Sequence, residues 1–235
     1  MLICAGHQPN YLPWLGFFDK MTQCDVFVIE DNVQFGRQGF QNRNRVKIPG
    51  GIRWLTVPVE HVGKDLLINE VRIANAAEPQ WAERHWMTLK HNYCKAPYWE
   101  EFKGFFEEAY GKHWDLLIDL NMHLIKGLME VLGIQKKLVM SSDLGVGGKK
   151  GELVLNQCKV LGADCLVAGA GARDYLDVEA FEKAGVKVVF QEFKYPVYEQ
   201  LNGAFVPDLS VVDYLFCADG KPWRTADLKL MERVS

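Results

Sequence analysis

No C-x-x-C spacing occurs in this chain, although it carries six cysteines. Cys4, Cys24, Cys94, Cys158, Cys165 and Cys217 are scattered, which argues against a zinc knuckle or a disulfide framework, and they read as small core hydrophobes. Long apolar runs are missing as well. None approaches the roughly 20 residues needed to cross a bilayer, and the opening MLICAGHQPN lacks the basic stretch and apolar core of a secretory leader. The expectation is a soluble cytoplasmic protein with no membrane partner. Neither sign of charge dominates: a net charge of −3 and a pI near 6.1 give no reason to expect a nucleic-acid partner. Both G-x-x-x-x-G-K-[ST] and G-x-G-x-x-G are absent, which removes the P-loop and the dinucleotide fingerprint. His85 and His91 do not share a helix face well, so no metal site is expected. There is no internal repeat, low-complexity tract or clear linker. What remains is 235 residues, 49% of them hydrophobic, enough for one large α/β domain or two small ones.

The stretch Ala5 to Met21 is the richest in chemistry. A short apolar run ends at Ala5, passes through Gly6-His7-Gln8-Pro9, and enters an apolar segment near Leu12, the pattern of strand, polar turn and helix. In an open α/β sheet the ligand crevice lies at such a corner, beyond the carboxyl ends of the strands. His7 and Gln8 would stand at its mouth, where an imidazole can act as acid, base or phosphate contact. The same two residues would equally serve as caps of an ordinary turn. Asp25 to Asp31 then reads as a buried parallel strand, which puts Asp31 on the same sheet edge as His7, as a carboxylate in the site or as an Asx turn.

From Gln34 to Lys47 the chain gathers Arg37, Arg43, Arg45 and Lys47 among amides and phenylalanines, followed by Pro49-Gly50-Gly51. This predicts a β-hairpin with strands at Arg43–Ile48 and Arg53–Val59. Alternation places Arg43, Arg45 and Lys47 on one face, where mutual repulsion calls for solvent or for an anionic partner such as a phosphate, a carboxylate or an acidic sugar. A change to helical period near Pro79 predicts three helices, through Tyr93, over Tyr98–Tyr110 and over Trp114–Leu132, with Ala96-Pro97 as a break. Tyr93 and His91 near the first helix end are candidates to face the site.

The remainder alternates strand and helix: strand Lys137–Met140, helix Glu152–Leu161, strand Cys165–Ala168, strand Val186–Phe190, and a helix over Leu209–Phe216 that Ser210 caps. Glycine-rich bends follow two of these strands, the first holding Ser141-Ser142 and Lys149-Lys150, the second Gly169 to Tyr175. Such bends let backbone donors approach a ligand, or are simply helix-cap turns. The expected fold is α/β with a mostly parallel sheet, a β-hairpin and a three-helix insertion. Its parts are an N-terminal α/β portion over 1–78, the insertion over 79–133 and a C-terminal α/β portion over 134–235, together one compact domain.

Several stretches together resemble the WbqC-like family. They are His7-Gln8-Pro9-x-Tyr11-x-Pro13-Trp14-x-Gly16, the strand from Asn42-Arg43 to Lys47, Trp54-Leu-Thr-Val-Pro58, Tyr93-x-x-Ala96-Pro97-Tyr98 and Ser141-Ser142-x-Leu144. Further on come Gly169-Ala-Gly-x-x-Asp174-Tyr175-Leu176, Tyr195-Pro-x-Tyr198-x-Gln200 and Leu209-Ser-x-x-Asp213-x-Leu215-Phe216. They run in the family's order from Ala5 to about Gly220. The chain departs from the pattern at Ala168, where a Ser would precede Gly169, so the hydroxyl of that pattern is missing. The resemblance implies a transferase, moving an aminoacyl group such as glycine, or another acyl group, onto a sugar in bacterial surface-polysaccharide biosynthesis. The layout is also similar to nucleotidylyl transferases, with Pro13-Trp14 where their second His would stand. ATP-dependent activation and a non-catalytic nucleotide- or sugar-binding module therefore remain alternatives. The cofactor stays open, with ATP or another nucleotide with Mg as the candidate, and the partner is a small-molecule substrate. The candidate catalytic residues are His7, Gln8 and Asp31. The candidate substrate contacts are Tyr11, Asn42, Arg43, Arg45, Lys47, Tyr93, Ser141, Ser142, Gly169, Asp174, Tyr175, Tyr195 and Gln200.

Overall fold

The computed structural model describes residues 1–60 and 65–218. His61, for which the sequence indicates no chemistry, and the polar tail after Gly220 lie outside the described residues. In chain order the elements are β1 (Ile3–His7), α1 (Leu15–Thr22), β2 (Val26–Ile29), β3 (Arg43–Ile48), β4 (Gly51–Thr56), α2 (Trp81–Tyr93), α3 (Trp99–Gly111) and α4 (Leu117–Val131). There follow β5 (Lys137–Met140), α5 (Gly151–Leu161), β6 (Cys165–Ala168), α6 (Val178–Lys183), β7 (Lys187–Phe190) and α7 (Val211–Cys217). The fold is α/β: a five-stranded sheet in the order β5-β2-β1-β6-β7, every pairing parallel, and a separate antiparallel hairpin of β3 and β4.

Alternation along the strands sorts the two faces of the sheet. Ile3, Ala5, Phe27, Ile29, Cys165 and Val167 join the buried cluster of α1, α2, α3, α4 and α7, while Cys4, Leu166 and Ala168 join the smaller cluster under α5 and α6. Burial on both sides explains why the strands read as continuous apolar runs. The chain leaves β1 for its β2 neighbour and later crosses back to β6 on the other side, so the connections diverge between β1 and β6. Such a divergence, at the carboxyl edge of the sheet, is where open α/β folds place their ligand crevice.

The helix predicted from near Leu12 begins at Leu15. Leu12 precedes Pro13, which disfavours the α region, and instead takes a left-handed φ of 43°. Gly16 is needed at the helix start because a Cβ there would lie 2.3 Å from the Trp14 indole, which packs edge-on against Phe193. The second hairpin strand, Gly51–Thr56, begins two residues and ends three residues earlier than predicted, since Gly51 itself pairs with Ile48. Ser210 caps α7 by accepting a hydrogen bond from the Val212 N–H.

Candidate functional site

His7 is the last residue of β1 and is paired in register with Ile29. Its Nδ1 lies 3.0 Å from the Gln8 carbonyl oxygen. A carbonyl only accepts, so Nδ1 carries the proton and Nε2 keeps its lone pair. Burial, followed by the nearby Lys20 charge, lowers the imidazole to about 3. The ring stays neutral through the physiological range, edge-on to Phe17 at 5.1 Å between centroids. Gln8 is hydrogen-bonded through its Oε1 to the Gln41 Nε2, and the Tyr11 N–H donates to the Phe40 carbonyl at 2.9 Å. The first turn is thereby fastened to the segment that leads into the hairpin.

From the α5 side the carboxylate of Glu30 rises over Gly6, close enough that a Cβ at position 6 would lie 2.8 Å from its Oε1. Gln157 donates to Glu30 at 3.3 Å and to the Ser141 hydroxyl at 2.8 Å. Burial pushes the Glu30 carboxyl up, against the pull of the Gln157 hydrogen bond and of Lys20. From the α1 side comes Lys20, only 4% exposed, whose Nζ donates to the Gly6 carbonyl at 2.7 Å. Burial lowers this amine to about 8. Gly169 borders the same amine, and burial together with the charge of Glu30 raises the Tyr175 phenol.

Asp31 is 2% exposed and fully engaged: it accepts from the Ser142 N–H at 2.9 Å, the Ser142 hydroxyl at 2.6 Å and the Asn69 amide at 3.2 Å. It joins the ends of β2 and β5. Of the sequence candidates, then, His7, Gln8, Asp31, Ser141, Ser142, Gly169 and Tyr175 meet along the carboxyl edge. Asp174 is exposed on the bend after β6.

The other candidates lie apart from that edge. Tyr11 is buried against α2 and α3, its hydroxyl 2.8 Å from the His85 Nδ1 and hydrogen-bonded to Tyr110. The Lys47 ammonium is buried and donates to Gln200 at 3.1 Å and to the carbonyls of Gly203 and Ala204 at 2.9 and 2.5 Å. Tyr93 accepts from the Lys47 N–H at 3.0 Å and donates to Asp213 at 2.7 Å, and Tyr198 donates to the other oxygen of Asp213 at 2.8 Å. These groups form one internal network that holds β3 to α7 and to the loop around Gln200. Tyr195 packs between Phe193 and Phe205. Asn42 donates to the Val57 carbonyl at 2.9 Å, leaving its own oxygen buried without a partner.

Arg43 and Arg45 lie over the Trp54 ring, at 4.5 and 5.6 Å from its centroid, so Lys47 departs from the predicted three-cation face by turning inward. Trp54 and Phe40 are 40% and 42% exposed and adjoin each other at 5.8 Å. The two aromatic rings thus face solvent beside two half-buried guanidinium groups, which donate to the Gln38 carbonyl at 2.6 Å (Arg43) and the Asp208 carbonyl at 2.9 Å (Arg45), each with a buried, unpartnered Nε. Among the described residues no three His, Cys, Asp or Glu side chains converge as a metal site requires, and no helix is long and apolar enough to cross a membrane.

Sequence reading missed Lys20 and Glu30. Lys20 sits in Leu15-Gly-Phe-Phe-Asp-Lys-Met21, where the charged pair looks like the solvated side of a helix, yet every residue of that segment is buried.

A model of the WbqC-like protein family matches residues 8–223. An uncharacterized protein of Mycobacterium tuberculosis, Rv1507c, is 34% identical over 212 residues, covering 89% of this chain and 90% of that one. No solved structure matches. The matched span runs from Gln8 through the first turn, the hairpin, the helical layer and both later bends, and on that extent the chain belongs to the WbqC-like protein family.

Proposed function

We propose that this chain is a transferase that passes an acyl or aminoacyl group to an amine or hydroxyl of a sugar, with its reaction centre in the crevice between β1 and β6. The observation that carries this reading is His7, held at the end of the central strand in one tautomer, with Nε2 available as an acceptor. In the transfer the nucleophile's nitrogen or oxygen bonds to the donor carbonyl carbon, and the bond from that carbon to the leaving group breaks. The proton released by the nucleophile passes to Nε2, whose basicity, low in the buried ring, rises when an anionic substrate sits beside it. The half-buried pair Arg43 and Arg45, beside the exposed Trp54 and Phe40, fits a substrate with an anionic group and a flat or CH-rich face, as an acidic sugar or a nucleotide has.

The test begins with mass spectrometry of ligands that remain bound through purification, which names the donor or acceptor. Purified protein is then incubated with amino acids, ATP and labelled pyrophosphate, and separately with preformed acyl donors and amino sugars. Transfer of label to a sugar supports the reading, and exchange of pyrophosphate assigns the activation step to this chain as well. Absence of transfer with every pair, combined with unchanged ligand affinity in His7→Ala, refutes it in favour of a binding module.

A further inference from the structure

Lys20 is a buried cation that the transfer step above does not use. An ammonium has three N–H donors, and here one of them is engaged, by the Gly6 carbonyl. The opposing charge of Glu30 acts on it, yet the two form no ion pair within 4.0 Å. A cation taken out of water with two donors unmet is unfavourable unless something else satisfies it.

The surroundings show on which side that something would sit. Gly169 begins the bend after β6, and a Cβ there would stand 3.7 Å from Nζ, so the bare Cα keeps that side of the amine open. Gly6 is bare for a different reason, the Glu30 carboxylate beside it. Lys20 comes from α1 on one face of the sheet and Glu30 lies toward α5 on the other, so the amine sits where the connections of β1 and β6 part. Burial leaves the amine at about 8, so it is still mostly protonated at neutral pH.

We propose that Lys20, with Gly6 and Gly169, forms an anion subsite that takes a phosphate or carboxylate oxygen of the small-molecule substrate between the ends of β1 and β6. The subsite rests on the crevice being the reaction centre only for the word substrate. Binding of an anion by itself requires no turnover.

Isothermal titration calorimetry of the full chain with inorganic phosphate, pyrophosphate and acetate tests the subsite and tells phosphate from carboxylate. The proposal expects at least one of them to bind and Lys20→Met to weaken it by about tenfold or more, the ratio that loss of a charge-assisted hydrogen bond produces. Acetylation of Lys20 by acetic anhydride, read by peptide mass, should slow when that anion is present. Gly169→Ala keeps the charge and places a methyl beside Nζ, so it should weaken binding several-fold, and it decides the matter if Lys20→Met does not fold. Three outcomes overturn the proposal: no binding by the unaltered chain, equal affinity in both variants, or Lys20 acetylation indifferent to the anion. Anion binding that depends on Lys20 in a protein without transfer activity would leave the subsite standing and remove the transferase reading alone.

Discussion

Lowering the pH should loosen the His7 turn through a residue that does not touch it. His85 on α2 is 7% exposed, and burial, followed by the Arg84 charge, lowers its imidazole from 6.5 to about 4. Its Nδ1 faces the Tyr11 hydroxyl, and the ring also hydrogen-bonds the Thr56 backbone. Between pH 6.5 and 4 the unfolded chain binds a proton at this His and the native chain does not. With one more proton on the unfolded side, stability falls by about 1.4 kcal/mol for each pH unit of acidification. From pH 7 to pH 4.5 the interval below 6.5 spans two units, so this residue alone should remove about 2.7 kcal/mol. For a chain of this length that corresponds to a fall in Tm on the order of 8 °C. Other groups titrate as well, His7 among them with the same sign. The measurement is therefore a difference, the urea-unfolding free energy of the unaltered chain minus that of His85→Gln, at pH 7 and at pH 4.5. Any constant penalty of the substitution cancels, and the gap should narrow by 2 to 3 kcal/mol at the lower pH, roughly the linkage figure above. A gap that changes by less than about 1 kcal/mol would show that His85 titrates normally, and the argument from burial would be wrong.

Three further outcomes follow from named contacts. His7→Ala should lower turnover by about 10²- to 10⁴-fold while the affinity of a bound ligand changes little, as single-turnover kinetics and calorimetry would report; a fall in affinity alone would count against the proton-acceptor role. Tyr93→Phe leaves the buried Asp213 carboxylate and the Lys47 N–H each one partner short, and should cost about 2 to 4 kcal/mol by denaturant unfolding, with strong non-additivity in the double variant with Asp213→Asn. Gly16→Ala drives a methyl into the Trp14 indole and should destabilise by about 1 to 3 kcal/mol, whereas Gly133→Ala meets no atom within 4 Å and disturbs only a left-handed cap, so a larger loss at position 16 than at 133 checks the packing argument.

The local pattern of the sheet was legible because each strand is short, apolar and bounded by polar or glycine residues. The strands at Lys137–Met140 and Cys165–Ala168 lie where their apolar runs predict, and Ser210 caps α7 as read. Strand order was not legible, since nothing local distinguishes a strand that pairs forward from one that pairs across 160 residues of chain. The cations were the other difficulty. Period-two alternation puts Lys47 beside Arg43 and Arg45, but tertiary contacts with Gln200 and two carbonyls draw it into the interior. Asp31 reads as a catalytic carboxylate or as an Asx turn with equal ease, because the three donors that meet it come from Asn69 and Ser142, far along the chain. Lys20 escaped notice for the converse reason, a helix that is covered on all sides.

The placement of β1 between β2 and β6 has a consequence for how the protein is made. Vectorial synthesis delivers this strand ahead of the others in its sheet, yet one of its edges finds no partner until Cys165 to Val167 have left the ribosome. At 5 to 20 residues per second that wait is on the order of ten to thirty seconds. Throughout it a hydrogen-bonding edge of Ile3 to His7 stands open to strands of neighbouring nascent chains. Yield of active protein should therefore respond to translation speed and to chaperone supply more than its finished stability would indicate.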